Sequence, residues 1–128
     1  MRFIVCGSRH WTDREFVWRV LDKLHAKVGV TGIAEGSCRG VDRHARMWAK
    51  DRGVPVISFP ADWSLGAKAG PLRNQQMADE YRPDGVVAIG MGRGTDSMVR
   101  IAQSRGIKVW EIARGKGGSG QKDGGGGN

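Results

Sequence analysis

Three short apolar runs rich in β-branched residues, FIVC at residues 3–6, VGVTGIA at 28–34 and GVVAI at 85–89, each give way to a glycine-bearing loop. Each loop then leads towards a segment whose apolar residues recur at helical intervals. That alternation restricts the fold more than any single motif does. Strands separated by crossovers too long for a hairpin pair in parallel, and a parallel sheet is covered by helices on both faces. Two weaker runs, 54–59 and 107–112, complete the series. The expected fold is α/β: a single Rossmann-like three-layer domain with a mainly parallel sheet of about five strands.

Spacing and end signals outline the helices. Thr12 with Glu15 three residues on has the arrangement of a capping box, and Phe16, Val17, Val20, Leu21 and Leu24 mark one face, so a first helix is predicted to run to about Lys27. Val41, Ala45, Trp48 and Ala49 share the apolar face of a second helix over 40–51, ended by Gly53. A polar loop through Gly70 precedes a third helix over 71–80, with Pro71 in its first turn. A fourth is predicted over 95–104, stopping before Gly106. Pro55 suits a strand start or a sheet edge better than a central strand.

In open parallel sheets ligands bind beyond the carboxyl ends of the strands, where the strand order reverses. The loops at 7–9, 36–40 and 90–94 all follow strands and so share that end. The stretch 90–98, GMGRGTDSM, is the most explicit. Gly90, Gly92 and Gly94 allow positive φ and close backbone approach, and the free N–H groups of the helix opened at Thr95 would face an anion, phosphate above all. The candidate ligand-binding residues are Gly7, Ser8, Arg9, Gly36, Ser37, Arg39, Gly40, Asp42, Arg73, Asn74, Gly90, Gly92, Arg93, Gly94 and Thr95. The arginines among them carry planar forks that pair bidentately with phosphate, and Ser8, Ser37 and Asn74 offer neutral hydrogen bonds. Asp42 either caps the second helix or accepts a ribose hydroxyl. Trp11 and Trp63 either stack a base or cover the core.

The formal net charge of +8 favours phosphate-bearing partners through a long-range field. Residues 114–128 hold eight of the 21 glycines and no large apolar side chain, so they are expected to form a disordered, Gly-rich basic tail beyond a domain of residues 1–113. Arg114, Lys116 and Lys122 against Asp123 give that stretch +2, which leaves +6 for the domain. No run of about eighteen apolar residues occurs, and MRFIVCGSRH lacks a charged-then-apolar leader, so the expected location is cytoplasmic, with no membrane partner. Cys6 and Cys38 are not spaced as a metal clip and read as free thiols, and His10, His25 and His44 are scattered. No metal site and no resident cofactor are expected.

Five stretches, GSRHWTD at 7–13, EGSCRGVDRHARMWA at 35–49, PADW at 60–63, AGPLRNQQM at 69–77 and GMGRGTDSM at 90–98, together resemble the YspA-like branch of the SLOG superfamily, in register from Met1 to about Ile112. That superfamily groups Rossmann-like proteins related to the cytokinin-activating LOG phosphoribohydrolases and to the DNA-processing protein DprA. The resemblance implies a nucleotide or nucleotide-derived ligand at the glycine loops. In LOG enzymes the loop resembles PGGxGTxxE, with glycines and threonine on the phosphate and glutamate taking part in cleavage. Gly92, Gly94 and Thr95 match its core, but Gly90 replaces the proline, Met91 a glycine and Met98 the glutamate. Arg73 resembles the active-site arginine of LOG proteins. Relatives of that type assemble, so a homo-oligomer is among the expected states.

The reading that follows is a protein that binds a nucleotide or nucleotide-derived ligand in a sensing, sequestering or processing role. An alternative is a LOG-like phosphoribohydrolase cleaving the N-glycosidic bond of a nucleoside monophosphate, with Asp96 or Glu35 as acid-base residue and Arg73 as the third catalytic group. Asp96 equally suits the dipole of a helix's first turn. Cys38 reads either as a nucleophile beside Arg39 or as a small filler. A DprA-like single-stranded DNA-binding module ranks behind both, because no continuous basic stripe is interleaved with aromatic residues.

Overall fold

The computed structural model describes residues 1–115. The tail expectation therefore lies, from residue 116 onwards, outside the described residues. Chain order runs β1 (Arg2–Gly7), α1 (Arg14–Val28), β2 (Gly32–Glu35), α2 (Val41–Arg52), β3 (Val56–Ser58), a 3-10 helix (Trp63–Lys68), α3 (Ala69–Tyr81), β4 (Gly85–Ile89), α4 (Arg93–Ser104) and β5 (Lys108–Ile112). The five strands form one sheet in the order β3-β2-β1-β4-β5, and every pairing is parallel. This is the Rossmann-like α/β domain that the alternation implies.

Side-chain alternation along the strands divides the core into two layers. Phe3, Val5, Val87 and Ile89 point to the face covered by Val17 and Leu21 of α1 and by Val41, Ala45, Trp48 and Ala49 of α2. Ile4, Cys6, Val86 and Ala88 point to the other, under Met77, Ala78 and Tyr81 of α3 and Met98, Val99 and Ala102 of α4. Trp48 is fully buried, and its indole N–H donates to Asp22 at 2.8 Å, which satisfies the polar atom that so large a side chain brings inside. β3, the strand after Pro55, takes the sheet edge.

Several boundaries differ from the sequence-based expectation. Asp13, not Thr12, caps α1: its carboxylate accepts from Phe16 N at 3.1 Å, which also sets a negative charge against the positive end of the helix dipole. Helix α1 continues to Val28 and ends at Gly29, whose φ of 73° allows its N–H to close on the His25 carbonyl, so β2 starts only at Gly32. The expected polar loop before Gly70 contains a 3-10 helix capped by Asp62 and broken at Gly66. Helix α4 begins two residues earlier than expected, at Arg93, because Gly92 at φ 154° turns the chain straight into it. Gly94 and Thr95 consequently lie inside its first turn.

Candidate functional site

β1 and β4 are neighbours from which the chain departs towards opposite edges of the sheet, so the switch in strand order lies between them. A cleft of about 320 Å³ opens at their carboxyl ends. Among the residues expected to bind ligand, Gly7, Arg9, Gly36, Asp42, Arg73, Asn74, Gly92, Arg93, Gly94 and Thr95 line it; Cys6, His10, Cys38, Met77 and Met91 complete the wall.

Gly7 makes the close approach possible. A Cβ there would lie 2.2 Å from the Ile89 carbonyl oxygen and 2.6 Å from Val41 Cγ2, so any side chain would push β1, β4 and α2 apart. Gly94 differs: its φ is not positive, and beyond its chain neighbours and the adjoining helix backbone no described atom lies within 4 Å of where a Cβ would stand. The fold does not require glycine there. What its bare Cα does is leave open space in front of the first turn of α4, whose N-cap, Gly92, supplies no side-chain cap. Asp96 N bonds the Gly92 carbonyl, and no protein acceptor among the described residues takes the N–H groups of Arg93, Gly94 or Thr95. Three oriented donors and the positive end of a twelve-residue helix thus face the cleft.

Arg73 and Asn74 brace this end of the molecule from α3. Both are buried. The Arg73 guanidinium donates to the carbonyls of Gly36 and Phe59 and to Asn74 Oδ1, while Asn74 Nδ2 donates to the Gly94 carbonyl at 3.2 Å. Arg73 therefore ties the β2–α2 loop, the end of β3 and, through Asn74, the start of α4. Two of its five N–H donors go to backbone carbonyls and one to Asn74, while among the described residues no protein acceptor takes those of Nη2, so Arg73 both braces the loops and lines the cleft. Arg9 and Arg93 are the exposed guanidinium groups of the cleft.

Asp42 sits at the opposite wall, 5% exposed. Its Oδ2 accepts from the N–H groups of Gly36 and Cys38, each at 3.2 Å, and no protein donor among the described residues reaches Oδ1. Burial, reinforced by the nearby Glu35 charge, pushes its pKa up to about 6, against the lowering effect of those two N–H bonds and of Arg73. A buried carboxylate with one oxygen unclaimed is suited to accept a hydrogen bond from a ligand. Cys6 is different: burial, with the Asp42 charge adding to it, drives its thiol far above the ordinary range, so it stays a thiol in the cleft floor.

The other expected site residues stand elsewhere. Glu35 is fully buried outside the cleft; its carboxylate accepts from Ser37 N at 2.6 Å and from the Ser58 hydroxyl, with Arg46 at 3.6 Å. Asp96 is held by Arg114 at 2.6 Å and does not reach the cleft. Ser8 shapes the β1–α1 turn, its carbonyl accepting from Trp11 N and Val41 N. Ser37, Gly40 and Gly90 are turn residues with φ of 64°, 72° and 81°, and Arg39 and Gly40 line a neighbouring groove. Trp11 packs on Phe16 with its indole N–H on the Asp13 carbonyl, and Trp63 is exposed with Arg9 over its ring at 5.9 Å; neither lines the cleft. Met98, at the position of the LOG glutamate, is buried in the core.

Arg114 is the residue that sequence reasoning passed over. It is the first residue of the stretch read as tail, yet its guanidinium donates to the Gly90 carbonyl at 2.8 Å, to Asp96 and to Glu111, and so fastens the loop before α4. The signal available was position: a residue two past the end of a parallel strand emerges at the same sheet edge as the loops. Among the described residues no three His, Cys, Asp or Glu side chains converge as metal ligands, and no helix is long and apolar enough to cross a membrane.

Comparison with known proteins bears on residues from both halves of the cleft. Gene 61 protein of Mycobacterium phage D29 is 38% identical over 117 residues, spanning 84% of this chain and 93% of that protein. Far upstream element-binding protein 1 of Rattus norvegicus is 41% identical over 63 residues, 46% of this chain but 10% of that protein. The family model described as YspA, cpYpsA-related SLOG family matches residues 1–66, which contain β1, the β2–α2 loop and Asp42. With the glycine loops gathered at the switch point of a Rossmann-like sheet and that match covering half the chain, this protein belongs to the YspA, cpYpsA-related SLOG family.

Proposed function

We propose that this protein binds a nucleotide or nucleotide-derived ligand in the cleft, with a phosphate against the first turn of α4 and a sugar hydroxyl on Asp42. The observation that carries this reading is the uncapped start of α4 opening onto the cleft beside the vacant space at Gly94. Asp42 supports it from the other wall, since its Oδ1 has no protein partner among the described residues and can accept a hydroxyl proton. Arg9 and Arg93 are free to close on the phosphate. Membership of the SLOG family suggests a nucleotide-related role, in keeping with this chemistry.

The test compares adenosine, AMP and GMP in thermal unfolding at fixed salt. A ligand that binds only the folded protein, present at about a hundred times its dissociation constant, adds about 2.7 kcal/mol. Stabilisation by a nucleotide and not by its nucleoside is the expected outcome. Gly94→Leu starts a side chain where a Cβ meets nothing beyond the adjoining helix backbone, so the free protein should keep its cooperative unfolding while the nucleotide response is lost. Equal stabilisation by nucleoside and nucleotide, or an unaffected response in Gly94→Leu, would refute the assignment.

Asp42 also favours a second reading, hydrolysis of the N-glycosidic bond. Neither Glu35 nor Asp96 lines the cleft, whereas Asp42 does, and a carboxyl group with a pKa near 6 can take a proton from an attacking water at neutral pH. Water then adds to the anomeric carbon as the base departs with the bonding pair. Free base released from a nucleoside monophosphate, and lost in Asp42→Asn, would establish this reaction. Binding without release by the wild-type protein would leave the ligand-holding role alone.

A further inference from the structure

The cleft is continuous at its rim with a second, more open concavity. Arg9 and His10 line both. From there a groove of about 580 Å³ runs between the β1–α1 loop and the start of α2, bounded by Arg14, Arg39, Arg43 and His44. No acidic side chain lines it. The His44 imidazole Nε2 bonds the Trp11 carbonyl at 3.0 Å and joins the two walls, so the groove is a built feature of the fold.

Its arginines are uncompensated. Ion pairs among the described residues engage Arg46, Arg52, Arg105 and Arg114; Arg9, Arg14, Arg39 and Arg43 take part in none and are all exposed. Four guanidinium groups around one groove repel one another and raise the local concentration of anions, an arrangement that multiple phosphates complement. The cleft itself, at about 320 Å³, stands near the lower end of the volumes seen for small-ligand sites and has room for about one nucleotide. A ligand unit beyond the first would have to leave past Arg9 and His10, which is where the groove begins.

We infer that the groove binds a second phosphate-bearing unit of the same ligand, so that the preferred ligand carries two phosphate-bearing units rather than one. This rests on the reading that the first phosphate lies at α4. Two sources share this chemistry: a small dinucleotide, and the end of a single strand carrying a 5′-phosphate.

The experiment measures dissociation constants of the full chain, at two salt concentrations, for AMP, the pyrophosphate-linked dinucleotide AppA, the phosphodiester-linked pApA and a 5′-phosphorylated deoxyadenosine octamer. The inference requires at least one dinucleotide to bind about tenfold more tightly than AMP, the gain expected of one added charge-assisted contact, with the advantage shrinking as salt rises. Arg14→Ala combined with Arg43→Ala should abolish that advantage while leaving AMP affinity unchanged, since neither residue lines the cleft. Arg43→Gln alone should remove part of it. A larger gain for pApA than for AppA, extended by the octamer, identifies a strand as the source; a gain confined to AppA identifies a small dinucleotide. AMP binding as tightly as both dinucleotides, or an advantage that survives the double substitution, overturns the inference while the cleft reading stands. If AMP does not bind at all, the cleft reading falls and the inference with it.

Discussion

Replacing Asp42 by Asn should stabilise the protein, and by an amount that depends on pH. In the unfolded chain the carboxyl titrates near 3.8, and in the folded protein at about 6, because burial and the Glu35 charge disfavour the ionised form. The folded state therefore holds the proton more tightly. Its stability is greatest below 3.8, where both states are protonated, and falls as pH rises towards 6, because the unfolded chain ionises first. Above the folded pKa it is flat again. A shift of roughly two units corresponds to about 3 kcal/mol lost between these limits.

Asn carries no charge and, like the protonated carboxyl group, can still accept from the N–H groups of Gly36 and Cys38, whose preference for the ionised form is already contained in the folded pKa. Asp42→Asn is accordingly expected to be about 3 kcal/mol more stable than wild type at pH 8. Below pH 4 that advantage should be gone. Urea unfolding of both proteins from pH 4 to pH 8 measures it, because the titrations of groups that do not interact with Asp42 cancel in the difference. A gap that is the same at pH 4 and pH 8, or an Asn variant less stable at pH 8, would refute the argument. A residue whose removal stabilises the fold at neutral pH is retained for something other than stability.

Two further substitutions probe how the site is built. Arg73→Met keeps the apolar stem but abandons the carbonyls of Gly36 and Phe59, so a loss of about 3 kcal/mol in urea unfolding is expected; a loss below about 1 kcal/mol would mean that Arg73 is not the brace described. Gly7→Ala forces a Cβ onto the Ile89 carbonyl and Val41 and should cost about 2 kcal/mol in the same assay. An alanine variant of wild-type stability would show that β1 and β4 can separate at the cleft without penalty.

Much of this architecture is written in local patterns. The runs at 3–6 and 85–89 became β1 and β4 because unbroken β-branched stretches suit strands buried on both faces, and the glycines after them mark where the backbone must turn beside a neighbour. Helix ends were legible only to within a turn. Thr12 and Asp13 are both competent caps, and which one serves depends on where Trp11 and Phe16 pack, not on the capping residues themselves.

What each polar side chain does was decided by the tertiary structure. Arg73 and Glu35 were read as site groups from their residue types, but whether a guanidinium meets a ligand or the carbonyls of two loops depends on neighbours 37 and 14 residues away along the chain. Glu35 ends β2 facing Ser58 and Arg46, which satisfy its carboxylate outside the cleft, whereas Asp42, the second residue of the next helix, is left with an oxygen free. Arg114 fastens the loop before α4 for the same reason: β5 delivers it to the sheet edge where Gly90 and Asp96 stand. By itself the sequence determined a parallel α/β sheet with its glycine loops at one edge, because strand burial, helical spacing and turn chemistry act over a few residues. Which of the charges at that edge remain free was decided only by the fold, because hydrogen-bond satisfaction of a buried group depends on atoms brought together from distant parts of the chain.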